Sequence, residues 1–322
     1  MVLVITVNYR TPQLTLECLR SLRSEAAADP RLRVVVVDND SGDGSAEIIE
    51  TAITAEGLDG WSTLVRSPIN GGFARGNNLG LTAATEGRTP WGPVEFEFVW
   101  LLNPDTYVRP GVVKAALHFF ESRPEAGILG TRVENADGSV WLSASHFPSV
   151  WSELDHALAF GPFTRLVAGR SGLYPPADAP RKVDWVSGAS LFVRHDVIRR
   201  LGFLDEGYFM YYEETDFCLA ARRAGIECWQ IQDGRIVHLL GKSSGVTGEQ
   251  AGVKRRPRYW FDSRARYFRK NHGAAYLHVA NALWCLLYPI GSLQRRLRGK
   301  PRNDPPFLWW DMFRHSLPGP HS

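Results

Sequence analysis

The sequence predicts an α/β fold in which a mostly parallel sheet is flanked by helices, and three observations lead to this prediction. Continuous apolar runs rich in valine and isoleucine, such as VLVITVNY and LRVVVVDND, have the pattern of strands buried on both faces. Segments with helical periodicity alternate with these runs over roughly the first 120 residues. Polar residues repeatedly follow the runs, at the strand ends where parallel sheets bind ligands.

The predicted elements follow one another in regular order. After the first strand, Thr11 and Pro12 open a helix, because the missing N–H of proline costs little in a first helical turn. The next elements are the strand at 32–40, a helix in AEIIETAI, a short strand in STLVRS, a helix in GNNLGLTAATEG entered from a glycine-rich loop, and a strand in FEFVWLLNPDT.

The second half of the chain is less regular. Residues 140–182 are rich in aromatics, proline and glycine, and they predict loops and short helices that cover a cleft. DWVSGASLFVRHDVIRRLG then returns to a strand followed by a helix. The N-terminus lacks a basic segment and a cleavage site, so it is interpreted as a buried strand rather than a signal peptide.

The charge of the chain is unevenly distributed. From residue 251 onward there are 14 Lys or Arg against 3 Asp or Glu, a net charge of +11, whereas the first 250 residues carry −8. Such a tail indicates a polyanionic partner, either membrane lipid or nucleic acid. The four cysteines are scattered without a Cys-x-x-Cys pair, which argues against a disulfide framework or structural zinc and is typical of a reducing compartment.

The tail contains an apolar stretch, 274–293, that is long enough to cross a bilayer. It includes His278, Asn281 and Pro289, however, and clustered arginines flank both ends. A basic, amphipathic helical region that lies in the surface of an anionic membrane therefore fits better than a span. The alternative is a helical extension packed on the main domain.

Polar side chains follow successive predicted strands, and we expect them to converge on one edge of the sheet. The set is Asp38, Asn39, Asp40, Asn70, Arg75, Asn77, Asn103 and Asp105. The glycine-rich loop NGGFARGNNLG could bring backbone N–H groups and Arg75 close to phosphate oxygens. It is neither a P-loop nor a dinucleotide fingerprint, since Asn8-Tyr9-Arg10 stands where that fingerprint would be.

Two further features are ambiguous when each is taken alone. A strand-end Asp105 is often a turn former or a helix cap, but next to a diphosphate it is a typical ligand of Mg²⁺ or Mn²⁺. His238 is either a structural histidine or a second metal ligand. In MYYEETDFCLAARRAG, the acids Glu213, Glu214 and Asp216 are a solvated helix start, a metal site or a catalytic base.

Six ordered motifs make the sequence similar to family 2 glycosyltransferases, and in particular to their rhamnosyltransferase-like bacterial branch. The resemblance covers about residues 2–270. The motifs are VNYRTPQLTLECLRSL, VVVVDNDSGDGS, NGGFARGNNLG, LLNPDT, the long stretch from VSGASLFV to CLAARRAG, and IVHLLGKSSG.

The resemblance implies a GT-A fold, which is Rossmann-like, and inverting transfer of a sugar from a nucleoside diphosphate to an acceptor hydroxyl. By motif position, Glu214 would be the catalytic base, with Glu213 and Asp216 as supporting acids, and Asp105 and His238 would hold Mg²⁺ or Mn²⁺. The residues implied in nucleotide binding are Asn8, Asp38, Asn39, Asn70, Arg75 and Asn77.

The chain departs from the family pattern at three positions. Asn103 replaces the first acid of an Asp-x-Asp motif, which leaves less negative charge at the metal. Glu214 is one methylene longer than the usual Asp, and Ala220 stands where related sequences often have Arg. None of these changes removes a group that the chemistry requires.

The sequence thus predicts a GT-A catalytic domain over residues 1–250 and a basic helical region over 251–322 that is associated with the membrane. The expected reaction moves a sugar, foremost rhamnose from dTDP-rhamnose, to a lipid-linked glycan precursor. The expected location is peripheral, on the cytoplasmic face of the cell membrane, without a nucleic-acid partner and with a homo-oligomer as an option. The alternatives are a sugar-nucleotidyltransferase and a non-catalytic nucleotide-sugar-binding protein.

Overall fold

A computed structural model describes residues 1–239, 254–300 and 303–316. In these residues the strands are β1 (Val2–Asn8), β2 (Arg33–Asp38), β3 (Ser62–Arg66), β4 (Phe98–Leu102), β5 (Thr106–Val108), β6 (Ala126–Glu134), β7 (Val140–Trp141), β8 (Ala144–Ser145), β9 (Arg181–Val183), β10 (Trp185–Val186), β11 (Ser190–Arg194) and β12 (Glu227–His238).

The helices alternate with the strands and then continue alone. They are α1 (Pro12–Ser21), α2 (Arg23–Ala28), α3 (Ser45–Ala55), α4 (Gly72–Thr85), α5 (Val112–Ser122), α6 (Val150–Leu158), α7 (Gly161–Val167), α8 (His195–Leu201), α9 (Glu213–Arg223), α10 (Arg258–His272), α11 (Ala274–Leu297) and α12 (Leu308–Ser316).

One mixed sheet organises the main body. Its order is β3-β2-β1-β4-β11-β6-β12-β5, with β7 beside β6 and β9 beside β12. The strands β3, β2, β1 and β4 pair in parallel, as the sequence predicts. Strand β11 lies antiparallel between β4 and β6, which the strand-then-helix pattern of that segment does not reveal.

Both faces of the sheet are buried, which explains the unbroken apolar runs. In β1, Val2 and Val4 face a core covered by α1, α3 and α5, whereas Leu3 and Ile5 face a second core covered by α4, α8 and α9. Strand β4 alternates in the same way, with Trp100 fully buried in the first core. A run in which every position is buried cannot show the polar alternation of a half-exposed strand.

Two predictions about boundaries have different outcomes. The helix predicted from Gly76 begins at Gly72, so the prediction of a glycine-rich loop up to that point is wrong, and Arg75 is helical. The predicted domain boundary at residue 250 falls within 240–253, outside the described residues. Residues 140–182 contain the short helices α6 and α7, as expected, and also the short strands β7 and β8.

The C-terminal helices pack on the main body. Tyr267 and Phe268 of α10 are fully buried against Tyr208, which precedes α9. Trp284 of α11 packs in a separate cluster with Phe261 and residues of α6 and α12. Among the helices of the described residues, none has the length and apolar character that a membrane span requires.

Candidate active site

The first polar cluster lies at the carboxyl ends of β1 and β2. Asn8 donates from Nδ2 to Asp38 Oδ1 (2.8 Å) and to Ser41 Oγ (3.2 Å), and its Oδ1 accepts from the Thr15 hydroxyl (2.9 Å). Ser41 donates to Asp38 from both its hydroxyl and its backbone N–H. Asn8 is therefore fully engaged with protein groups, and its effect is to orient the Asp38 carboxylate.

A second chain of contacts joins Asn39 to the start of α4. Asn39 Nδ2 donates to Asn70 Oδ1 (2.9 Å) and to the Gly72 carbonyl (3.1 Å), while the buried Oδ1 of Asn39 has no hydrogen-bond partner in the described residues. Gly72 has φ +82°, and a Cβ there would overlap the backbone of Phe209. Only glycine allows α4 to start so close to the loop that leads into α9.

The remaining two residues of the predicted nucleotide pocket lie on α4. Arg75 is exposed in the first turn of the helix. Asn77 is buried, and its Nδ2 donates to the Phe73 carbonyl one turn earlier (2.9 Å), with Oδ1 unpaired among the described residues. Arg75 thus faces solvent, whereas the side chain of Asn77 is buried.

Asp105 and His238 lie close together at the same edge of the sheet, immediately before β5 and at the end of β12. His238 is the last residue of β12 and lies opposite Thr106 of β5, so it is adjacent to Asp105. The His238 Nε2 to Asp105 Oδ1 distance is 3.1 Å, and Asn103 Nδ2 lies 3.3 Å from the same nitrogen. Both the aspartate and the histidine are buried.

This pair has the chemistry and the spacing of two ligands of one divalent cation. Ligand atoms that each lie about 2.1 Å from an octahedral ion at a right angle are about 3.0 Å apart. The distance between Asp105 Oδ1 and His238 Nε2 matches that spacing. Two protein ligands fill only part of the coordination shell of such an ion. The described ranges contain no cluster of three or more His, Cys, Asp or Glu suited to a metal.

Glu213 and Glu214 open helix α9 in unlike settings. Glu213 is buried, whereas Glu214 is partly exposed and its Oε1 accepts the Gly188 N–H at 3.4 Å. Burial raises the pKa of both carboxyl groups, and the charge of Glu214 raises the pKa of Glu213 further. Glu214 is the more exposed member of the pair and therefore the one that a substrate can approach.

The two residues before this pair have a strained backbone. Tyr211 and Tyr212 have φ values of 70° and 71°, which are unusual for bulky side chains and cost about 1–3 kcal/mol each. The Tyr212 ring contacts the rings of Trp260 and Tyr267 on α10, at centroid distances of 6.3 and 5.4 Å. Helix α10 therefore helps to hold the conformation that places the two acids.

A short segment after β10 connects the acids to the Asp105–His238 pair. The Gly188 N–H donates to Glu214, and the carbonyl of the next residue, Ala189, accepts the backbone N–H of Asn103 (3.1 Å). Asn103 in turn contacts His238. A chain of contacts through Gly188, Ala189 and Asn103 therefore connects the carboxylate of Glu214 with the candidate cation-binding pair.

Asp216 has a different role in the structure from that of its two neighbours. Its carboxylate accepts from Lys270 Nζ (2.6 Å) and from Asn271 Nδ2 (2.6 Å), both on α10. Lys270 also contacts Asp205 (2.8 Å). Burial alone would raise the pKa of Asp205, but the hydrogen bonds from Lys270 and Arg266 lower it to about 2. We call Asp205, Asp216, Lys270 and Asn271 the α9–α10 link.

Sequence reasoning missed the residues that connect these groups. Ser41, which orients Asp38, and the Gly188–Ala189 pair belong to small-residue runs without a chemical signature. Phe209 binds the start of α4 through its carbonyl, which accepts the Phe73 N–H at 2.8 Å. The SGAS run between two predicted elements was the one available signal, since small residues often allow close approach of a backbone.

Comparison with known proteins gives three findings. Residues 2–172 match the family described as glycosyl transferase family 2. The N-acetylglucosaminyl-diphospho-decaprenol L-rhamnosyltransferase of Mycobacterium tuberculosis is 31% identical over 253 residues, which are 75% of this chain and 77% of that protein. The rhamnosyltransferase WbbL of Escherichia coli K12 is 25% identical over 168 residues, which are 52% of this chain and 60% of that protein.

Among solved structures, the mannosyltransferase PcManGT from Pyrobaculum calidifontis, in complex with GDP-Man and Mn²⁺, is similar to the whole fold. The TM-score is 0.57 at 18% identity, and the similarity covers 92% of this chain and 75% of that one. The predicted GT-A architecture, with helices beyond the sheet at the C-terminus, is thereby confirmed.

Proposed function

Because the chain belongs to glycosyl transferase family 2 and is a glycosyltransferase with rhamnosyltransferase relatives, we propose that it is an inverting, metal-dependent rhamnosyltransferase. The donor is dTDP-rhamnose, and the acceptor is a hydroxyl of a lipid-linked glycan precursor. Residues 1–250 form the catalytic part, and 251–322 form a region that meets the membrane.

One observation supports this proposal most strongly. The Glu214 carboxylate and the Asp105–His238 pair are connected through the Gly188–Ala189 backbone and Asn103. Inverting transfer needs a base on one side of the anomeric carbon and support for the leaving diphosphate on the other. The site contains one group suited to each task, and one short segment connects the two.

Glu214 is the proposed base. Its buried Oε2 has no hydrogen-bond partner in the described residues, so no other described group uses the lone pairs that would accept the proton of an acceptor hydroxyl. Burial raises its pKa, which brings the carboxylate closer to the basicity that proton transfer near neutral pH requires. Glu213 is the supporting acid beside it, and Asp216 supports the site through the α9–α10 link.

Asp105 and His238 are the proposed ligands of Mg²⁺ or Mn²⁺. A bound divalent cation would stabilise the negative charge that develops on the leaving diphosphate. Asn103 contributes no charge, and its amide nitrogen lies 3.3 Å from His238 Nε2, beside the candidate ligand atom. The similar mannosyltransferase structure contains GDP-Man and Mn²⁺.

The donor nucleotide is proposed to bind across Asp38, Asn39 and Asn70. The unpaired buried oxygen of Asn39 is a ready acceptor for a nucleoside N–H or hydroxyl. Arg75 is exposed at the start of α4, where its charge and the helix N-terminus both favour phosphate. Asn8 and Asn77 contribute to nucleotide binding indirectly. Asn8 orients the Asp38 carboxylate, and Asn77 donates a hydrogen bond to the Phe73 carbonyl.

The choice of donor and acceptor comes from the relatives. Both relatives are named as rhamnosyltransferases, and the name of the mycobacterial enzyme specifies N-acetylglucosaminyl-diphospho-decaprenol. At 31% identity over three quarters of the chain, that enzyme is a reasonable guide to the class of both substrates. A diphosphate-linked lipid acceptor also agrees with a membrane-bound reaction.

Membrane association is proposed from the surface of the C-terminal helices. Helix α11 exposes an apolar stripe with helical spacing, Val279, Leu286, Ile290, Leu293 and Leu297. Arg295, Arg296 and Arg298 adjoin this stripe, and exposed Trp309 and Trp310 follow on α12. Apolar and aromatic side chains beside arginines fit the interface of an anionic membrane, here the inner face of the cell membrane.

The test is a panel of nucleotide sugars incubated with Mn²⁺ or Mg²⁺ and a lipid-diphosphate-linked N-acetylglucosamine. We expect release of dTDP and transfer of rhamnose that both depend on the acceptor and the cation. Transfer from a UDP- or GDP-sugar in preference to dTDP-rhamnose would refute the donor. Full activity in the presence of a chelator would refute the metal dependence.

A further inference from the structure

A cavity of about 780 Å³ lies between the insertion that carries α6 and α7 and the three C-terminal helices. Its walls include Ser145, Trp185, Tyr212, Arg256, Trp260 and Trp284. Nothing in the proposed donor and metal arrangement uses this space. Its volume is in the range of sites that bind small molecules.

Two residues that line the cavity, Tyr212 and Trp185, lie close in sequence to residues at the proposed base. Tyr212 is two positions before Glu214, at the start of α9. Trp185 lies on β10, which leads directly to Gly188, the donor to the Glu214 carboxylate. Two residues of the cavity wall are thus close in sequence to the two segments that hold the base.

Arg256 is the feature of this cavity that most needs explanation. Its guanidinium lies over the Trp260 ring, 4.6 Å from the centroid, and its buried Nε has no hydrogen-bond partner in the described residues. Nearby arginines are paired with acids: Arg255 with Asp311 and Arg264 with Glu153. Arg256 has no such ion pair within the described ranges, and burial of an unpaired charge is costly.

The acids around the cavity are already engaged. Glu153 pairs with Arg264 at 2.8 Å. Asp155 accepts hydrogen bonds from the hydroxyl groups of Thr164 (2.6 Å) and Ser171 (3.0 Å). Arg165 of α7 and Arg295 of α11 also line the cavity, so the space combines three guanidinium groups with carboxylates that have other partners.

We propose that this cavity binds the phosphate groups of the lipid-linked acceptor, with Arg256 as their principal contact. The inference rests on the proposed function, because it assumes an acceptor whose sugar hydroxyl lies at Glu214. A guanidinium presents paired N–H donors that match phosphate oxygens, and a bound diphosphate would supply a counter-charge that no ion pair within the described residues gives to Arg256.

The far wall of the cavity fits the rest of such a molecule. Trp284, Leu308 and Met312 line it, and they belong to α11 and α12. These helices carry the exposed apolar stripe on their outer surface. Sugar, diphosphate and lipid would therefore occupy successive parts of one path, from the base through the arginine to the apolar helices.

The test compares Arg256→Gln and Arg256→Lys with wild-type, full-length protein in a non-ionic detergent without phospholipid. Each is assayed with two acceptors, an alkyl-diphosphate-linked sugar and an alkyl glycoside of the same sugar. We expect Arg256→Gln to raise KM for the diphosphate acceptor about 10- to 100-fold, equivalent to about 1.4–2.7 kcal/mol, and Arg256→Lys to recover part of it. KM for the glycoside and for the donor should stay unchanged.

The matched control is Arg258→Gln. Arg258 is two positions away and exposed, pairs with Asp262 and does not line the cavity. It should behave as wild type with both acceptors. An equal loss with both acceptors, or a loss of donor affinity, would give Arg256 a purely structural role and overturn the proposal.

Two further outcomes separate the possible errors. If Arg256→Gln retains its KM for the diphosphate acceptor while Glu214→Gln is inactive, the phosphate site is wrong and the proposed function stands. If wild-type protein transfers no sugar to either acceptor, the proposed function itself fails. A defect that occurs only after anionic phospholipid is added would assign Arg256 to membrane headgroups instead and contradict the proposal.

Discussion

Replacement of Glu214 by glutamine tests the centre of the proposed mechanism. Glutamine keeps the size of the side chain, and its Oε1 can still accept the Gly188 N–H that the carboxylate accepts at 3.4 Å. What it loses is the ability to take a proton from the acceptor hydroxyl. The substitution therefore removes one chemical property and leaves the contacts of the residue in place.

The expected loss follows from the role of a general base. Removal of a positioned base lowers kcat by about 10²–10⁴-fold, which corresponds to about 2.7–5.4 kcal/mol of transition-state stabilisation. Burial raises the pKa of Glu214, so the wild-type enzyme carries the cost of an ionised group in a partly desolvated place. Because glutamine removes that cost, the melting temperature at neutral pH should be unchanged or higher.

The pH profile gives a second measurement of the same group. A base must be ionised to act, and burial moves the pKa of Glu214 above the ordinary value of 4.5. The acid limb of kcat in wild-type protein should therefore lie above the range of an exposed glutamate, with activity lost as pH falls through it. That limb should disappear in the glutamine variant, whose residual rate lacks the titrating base.

The assay measures transfer rates and donor affinity for Glu214→Gln, with Glu213→Gln as the matched control. Glu213 is buried, and burial and the charge of Glu214 raise the pKa of its carboxyl group. Glutamine resembles the protonated form of this side chain, so the loss should be smaller. Donor binding should be nearly unchanged in both variants. An inactive Glu213→Gln together with an active Glu214→Gln would place the base one residue earlier, and two active variants would refute a catalytic role for the pair.

Three other predictions concern the metal, the α9–α10 link and the tail. Asp105→Ala should abolish cation-dependent donor binding in calorimetry and His238→Ala should weaken it less; unchanged binding in the first variant would contradict the metal assignment. Asp216→Asn should lower the free energy of unfolding by about 1–3 kcal/mol while donor affinity is retained. If the stability losses of Asp216→Asn and Lys270→Met were additive in the double variant, the two side chains would not interact. Leu286→Glu should weaken co-sedimentation with anionic vesicles but not the rate with a water-soluble acceptor, and binding equal to that of wild type would rule out the apolar stripe.

The sequence predicts those parts of the molecule whose pattern repeats or whose chemistry is local. Strands β1, β2 and β4 are predicted because burial on both faces leaves runs without polar interruptions. The start of α4 is not, since two adjacent glycines usually indicate a loop, and the helix begins at Gly72 because the Phe209 backbone approaches there. Local propensity does not include that distant contact.

The residues of the candidate site also differ in how far the sequence alone predicts their contacts. Asp105 and His238 are 133 positions apart, and a shared motif order was needed to connect them before the β5–β12 pairing placed them side by side. The partners of Asp216 are on α10, in a segment whose basic composition indicates only a charged surface. Long-range partners of this kind depend on the packing of whole elements, which no short stretch of sequence specifies.

The α9–α10 link determines which parts of this enzyme can be exchanged with a relative. A hybrid joined near residue 250 would take Asp216 from one parent and Lys270 with Asn271 from the other, and the strained tyrosines before α9 would meet foreign aromatic rings. A joint placed before Asp205 would instead keep both halves of every such contact within one parent. Acceptor preference should therefore be transferable between homologues only when the exchanged segment begins before Asp205 and includes both α9 and α10.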